Sequence, residues 1–230
     1  MTYLDLCNQV LLRMREDPMA TVVGLHDDEV HDLVCAYVND AKNIVEDSWD
    51  WTNLSSVMPA VINGTPAAPL PTFTLTGVGE LCKIKEIYVD GSMVKEMTRS
   101  EYAQKLSSVD PASPMPTGSP EYFVPMQDRP SAIPGAASDK VFFVWPHVDR
   151  TVNAVTHVQL KTPDMNADTT YCPVPYQPVM AYALALLSRE RGEVNGQTST
   201  DLFGVAKTVL SDAIAIDANN HAPETIWSVV

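Results

Sequence analysis

Fifteen of the 18 prolines fall between residues 54 and 175. Proline removes a backbone donor and clashes with the preceding turn of a helix, so this middle stretch is built from strands, turns and loops. The flanks are nearly free of it and read as helical. Val30, Leu33, Val34, Tyr37, Val38, Ala41, Ile44 and Val45 recur at i, i+3, i+4, i+7, i+8, i+11, i+14 and i+15, the stripe of an amphipathic helix that should run to about Trp49. Asp27, Asp28 and Glu29 suit the positive end of its dipole. Before it, Thr2 with Asp5 three residues on marks a helix start, Leu6, Val10, Leu11 and Met14 continue it, and Pro18 lies beyond the stop.

After residue 175 the chain becomes helical again. Pro178 suits a first turn, 179–187 is apolar nearly all round, and Gly192 can end this most buried helix behind Arg189 and Arg191. Thr198 or Ser199 then caps a last helix whose stripe is Leu202, Ala206, Val209, Ala213 and Ile216, with Phe203, Leu210 and Ile214 alongside. Asn219, Asn220 and Pro223 stop it.

In the middle, 57–62, 73–76, 83–89, 122–126, 141–145 and 152–160 read as strands. Asp90-Gly91 is a hairpin signal into Met93-Val94, Thr98 with Glu101 caps one short helix ending near Leu106, and four prolines within 109–120 indicate an irregular loop. The expected fold is α+β: an antiparallel helical bundle formed by the N- and C-terminal helices, with an inserted small antiparallel β-domain and an extended C-terminal tail. The expected domains are 1–53 with 176–220 for the bundle, 54–175 for the β-rich insertion and 221–230 for the tail.

The chain carries 29 acidic and 15 basic residues, a formal charge of −14. Such a surface repels phosphate, so clamping or reading of nucleic acid is not expected. The charge serves solubility, or a wall past which DNA slides without sticking. Cys7, Cys35, Cys82 and Cys172 stand singly, the pattern of buried thiols in a reducing compartment rather than of disulfides, without the close pairs that zinc ligands want, and no cofactor is expected. Asp5 interrupts any apolar run at the N-terminus, and 179–187 is too short to span a bilayer, so a soluble protein with no membrane contact is expected.

Chemistry-bearing motifs are sparse. Between His26 and Asp32, two histidines lie among four carboxylates. The segment reads either as a solvated, dipole-capping helix start or as a divalent-metal site, although i and i+5 sit roughly 140° apart on a helix. GxSxG, GxxxxGK[ST] and GxGxxG patterns are absent, and His147, His157 and His221 have no sequence-local triad partner. Trp49-Asp50-Trp51 reads as a core cluster at the helix-to-strand junction, with Tyr171 and Tyr176 packing against it, or as a ligand platform. The tail ends in Ile226, Trp227, Val229 and Val230. It either folds back or docks on a partner, with Trp227 as anchor.

The opening Met1-Thr-Tyr-Leu-Asp-Leu-Cys-Asn-Gln-Val-Leu-Leu-Arg-Met-Arg-Glu-Asp17, followed by Val38-Asn-Asp-Ala-Lys-Asn-Ile-Val-Glu-Asp-Ser-Trp-Asp-Trp51, resembles the head-to-tail adaptor family of short-tailed phages related to tail tubular protein A. The resemblance implies a non-enzymatic virion protein of the neck, assembled in the host cytoplasm. It implies a dodecameric ring between the portal protein and the tail nozzle protein, with genome DNA passing through the lumen unbound. It assigns portal binding to Pro223, Ile226, Trp227, Val229 and Val230, and nozzle or inter-subunit contact to the 109–135 loop and its neighbourhood: Pro114, Met115, Pro116, Tyr122 and Ile133. The alternatives are another head-completion protein and a metal-dependent hydrolase using His26 to Asp32.

Overall fold

The computed structural model describes residues 1–24, 29–63, 72–76, 78, 82–110, 115–129, 139–190 and 196–220. The chain divides into two compact units, Met1–Leu54 with Asp164–Val230, and Ser55–Pro163.

The first unit holds four helices: α1 (Tyr3–Met14), α2 (Glu29–Ser48), α4 (Tyr176–Glu190) and α5 (Gly196–Ala218). Helix α1 starts at a reciprocal capping box, with the Asp5 N–H on the Thr2 hydroxyl at 3.2 Å and the Thr2 N–H on the Asp5 carboxylate at 3.3 Å. It ends at Arg15 in the left-handed region. The apolar stripes converge on one core that includes Leu6, Val10 and Leu11 of α1, Val34, Val38 and Val45 of α2, and Val179, Ala183 and Leu187 of α4. Helix α4 is central because it is apolar on most faces, and α1, α2 and α5 all pack against it.

The stretch after residue 163 is bonded into this unit. The Tyr3 N–H donates to Thr170 O at 2.7 Å and the Val22 N–H to the Asp168 carboxylate at 2.7 Å. Asn39 exchanges two hydrogen bonds with the backbone of Met165, at 2.9 and 3.1 Å. Trp51 is buried with its indole N–H on Val45 O, and Trp49 reaches the Asp217 carboxylate at 3.1 Å. Tyr171 is 72% and Tyr176 39% exposed, so neither tyrosine is part of a closed aromatic cluster.

The second unit overturns the expectation of a helical bundle carrying a small antiparallel insertion. Its strands are β1 (Ser55–Asn63), β2 (Thr72–Leu75), β3 (Lys83–Val89), β4 (Ser92–Glu96), β5 (Tyr122–Arg129), β6 (Asp139–Trp145) and β7 (Thr151–Gln159). They form a single seven-stranded sheet in the order β1-β7-β3-β4-β5-β6-β2. The end strands β1 and β2 lie against one another, so the sheet is nearly a barrel. It is mixed, because β4 and β5 run parallel, Lys95 opposite Tyr122 and Glu96 opposite Phe123. A parallel pair needs a crossover, and α3 (Arg99–Ser107), started by the Thr98–Glu101 capping box, supplies it. Alternation along a strand tells which side chains face inward but not which strand lies alongside, and that is where the expectation failed.

The inward positions, among them Ile62, Leu75, Ile87, Val94, Phe142, Val144 and Val158, fill the sheet's interior. Strands β3 and β4 are joined at Asp90 and Gly91, both with positive φ (49° and 80°), as a tight two-residue hairpin requires. Helix α3 covers a smaller cluster of Met97, Tyr102, Val124 and Trp145.

Candidate functional site

Helix α5 carries more apolar surface than its own unit uses. Phe203, Ala206, Leu210, Ala213 and Ile214 face the helical core, yet among the described side chains of α5 Ala206 alone is buried. Leu202, Val205, Val209 and Ile216 fall at i, i+3, i+7 and i+14, a heptad seam displaced about 100° around the axis from the packed face. Val205 is 56% and Ile216 67% exposed, and Leu202 and Val209 are half-buried. Asp201 and Asp212, both exposed, line one margin of this seam. Periodicity predicts a single stripe through Leu202, Ala206, Val209, Ala213 and Ile216; the structure separates a packed stripe from an open one, which Val205 joins.

The same unit exposes Leu12 on α1 and Ile44 on α2. Its interior is more polar than its sequence suggested: Lys42 and Glu46, one turn apart on α2, form a fully buried ion pair at 3.4 Å. Tyr3, Cys7, Cys35 and Met19 make a sulfur-rich patch, with the Cys35 thiol 3.8 Å from Met19 Sδ, and the hydrogen bond with the Cys35 thiol, then burial, push Cys7 well above an ordinary cysteine. Such a thiol is inert rather than nucleophilic.

The tail residues Pro223, Ile226, Trp227, Val229 and Val230 lie outside the described residues, as do Pro114 and Ile133. Met115 is half-buried and Pro116 exposed. Pro116 O accepts from the His147 N–H at 3.0 Å, which ties this loop to the end of β6. Tyr122, half-buried at the start of β5, lies under the Lys105 ammonium, 5.1 Å from its ring centre. Of the acidic-histidine segment, His26, Asp27 and Asp28 lie outside the described residues. His31 Nε2 sits 3.1 Å from Asp17 O. Among the described residues no group of three or more His, Cys, Asp or Glu is arranged to hold a metal ion.

One constellation escaped the sequence because its members come from three distant strands. Ser55 Oγ lies 2.6 Å from His157 Nε2, and His157 Nδ1 faces Glu86 Oε2 at 4.0 Å. These are the ring nitrogens a serine hydrolase would use. However, 4.0 Å is too long for the carboxylate to orient the imidazole, and Glu86 Oε2 already accepts the Tyr88 hydroxyl at 3.2 Å. The outward alternation on β1, β7 and β3 puts these residues side by side on the sheet's outer face, where they act as cross-strand polar pairs.

Comparison with protein-family models gives no match, and neither does comparison with curated proteins.

Proposed function

We propose that this chain is a structural head-to-tail adaptor of a short-tailed phage, one subunit of a ring that joins the portal to the tail nozzle and lets DNA pass without retaining it. The observation that carries the reading is the open seam on α5. Fully burying a Val or Ile side chain is worth about 1.5–3 kcal/mol, and Leu202, Val205, Val209 and Ile216 leave much of that unrealised in a single copy. A ring subunit realises it against its neighbour. The segments that resemble the adaptor family supply α1 and the C-terminal half of α2, which form core of the same helical unit.

The charge distribution supports the conduit role. Nineteen of the 29 acidic residues, but only six of the 15 basic ones, belong to the helical unit; a wall of that sign repels the phosphate backbone. The tail, with Trp227 between Ile226 and Val229, is the proposed portal anchor, and the loop around Pro116 the proposed nozzle contact.

The test is light scattering on the protein alone and mixed with its portal, for the full chain and for a version ending at Asn220. Co-assembly that needs residues 221–230 is the expected result. A full-length protein that stays monomeric and ignores the portal contradicts the reading.

A further inference from the structure

Three sulfurs meet in the core of the helical unit: Cys7 on α1, Cys35 on α2 and Met19 in the connection between those helices. Cys7 and Met19 are buried and Cys35 is half-buried. The Cys35 thiol donates to Met19 Sδ at 3.8 Å, and the Cys7 thiol is hydrogen-bonded with Cys35 in turn. Sulfur contacts are common as packing, but the members of this one are tied down by polar side chains. Asn8, next to Cys7, grips both backbone groups of Met19: its Nδ2 donates to Met19 O at 3.1 Å, and its Oδ1 accepts from the Met19 N–H at 2.9 Å. The Tyr3 hydroxyl donates to Cys35 O at 2.7 Å and accepts from Asn39 Nδ2 at 3.0 Å. Outer hydrogen bonds of this kind are what orients the ligands of a metal ion.

We infer that Cys7, Cys35 and Met19 form a binding site for a soft monovalent metal ion of the Cu(I) class. The donor set selects that class. Thiolate and thioether sulfurs are soft ligands that suit Cu(I), whereas Mg²⁺, Ca²⁺ and Mn²⁺ want oxygen. A structural zinc ion takes four ligands, and among the described residues no third His, Cys, Asp or Glu joins the two cysteines. The spacing fits as well: three sulfurs about 2.3 Å from a central ion stand about 4 Å apart, close to the 3.8 Å between Cys35 and Met19. Binding exchanges protons for the ion: two S–H bonds break, two sulfur–metal bonds form, and both protons pass to solvent. The half-buried Cys35 gives the ion its way in. Once bound, the ion ties α1, α2 and their connection together, a role independent of the adaptor reading.

The test is an anaerobic titration of the reduced full chain with Cu(I) against a competing chromophoric chelator, followed by thiolate-to-copper ultraviolet absorption. A single equivalent is expected to bind and to raise the melting midpoint of the helical circular-dichroism signal. Asn8→Ala, which releases Met19, should weaken binding about 10–100-fold, and Cys7→Ser should weaken it by more. Met19→Leu conserves volume and keeps the fold, so its loss of affinity cannot be blamed on unfolding. Cys82→Ser, in the sheet unit, should leave the titration unchanged. A chain that takes no copper from the chelator overturns the inference. So do Cys7→Ser and Met19→Leu variants that stay folded and bind copper as tightly as the unmutated chain.

Discussion

The helical unit buries a complete ion pair, Lys42 with Glu46, inside its core, whereas in the sheet unit four buried side-chain atoms lack a hydrogen-bond partner among the described residues: Tyr102 OH, His147 Nε2, Thr156 Oγ1 and Gln159 Nε2. The contrast follows from how each element presents side chains. A helix sets residues i and i+4 side by side, so one helix can carry both members of a polar pair into the interior. A nearly closed sheet satisfies its backbone through the ladder, but an inward Thr156 has the apolar Met58 and Ile87 opposite it on the two neighbouring strands. The units also differ in charge. The helical unit has 19 acidic and six basic residues, the sheet unit ten and nine. Stability in the first is therefore exposed to electrostatic change, and in the second to packing and to the cost of unpaired polar groups.

The largest expected effect tests the buried pair. Glu46→Ala leaves the Lys42 ammonium buried without its carboxylate and should cost about 3–5 kcal/mol, while replacing both residues with Met and Leu should be close to neutral. Urea unfolding followed through the helical circular-dichroism signal reads this; a single substitution costing under about 1 kcal/mol would break the contrast. In the sheet unit, Phe142→Ala should cost about 3–5 kcal/mol as a packing loss, read as a lowered midpoint of urea unfolding.

Thr156→Val removes an unpaired hydroxyl at nearly constant volume and should raise the midpoint of the sheet unit by about 1–2 kcal/mol equivalent. A loss of stability would mean that the hydroxyl has a partner in solution. The N-caps offer a control that should not distinguish the units: Thr2→Ala and Thr98→Ala should each cost about 1 kcal/mol.

Acid sharpens the comparison further. Burial holds His147 below the ordinary histidine value, so the unfolded chain binds a proton that the folded one resists. That contribution is complete above about pH 6.5 and is lost as pH falls through the window below it, and His147→Gln should flatten the decline. Asp5 is held below the usual carboxylate range by the Thr2 hydroxyl and then its N–H, and Glu101 by the Thr98 N–H and then its hydroxyl. Their contributions persist above the carboxylate range and vanish only in stronger acid. A melt midpoint for the sheet unit that is flat between pH 7 and 5.5 would contradict the assignment to His147.

Several of these features were legible in the residue order. The Thr2–Asp5 and Thr98–Glu101 boxes and the Asp90-Gly91 hairpin are local, with every partner within three residues. The α2 stripe was readable for the same reason, since period alone defines a face. What was not readable depends on distant partners. The parallel β4–β5 pairing joins Lys95 to Tyr122, and the closing of β1 toward β2 leaves no trace in either strand. Asp168 gripping Val22, Asn39 bridging Met165 and Ser55 meeting His157 all link positions more than a hundred residues apart. The open seam on α5 lay in between: Leu202, Val209 and Ile216 belong to the predicted stripe but Val205 does not, and periodicity cannot say which of two adjacent stripes a neighbour will cover. Lys42 and Glu46 were unreadable for the opposite reason, because charges on a helix are ordinarily assigned to solvent.

The most direct test of the central claim is the mass of the complex formed with portal when the α5 seam is broken. Light scattering on Val205→Glu/Ile216→Glu, with circular dichroism to establish that the helices persist, should show a folded chain that no longer builds a complete ring on the portal, while the unmutated chain adds the full ring mass. A folded double variant that assembles to the same mass as the unmutated chain would contradict the account.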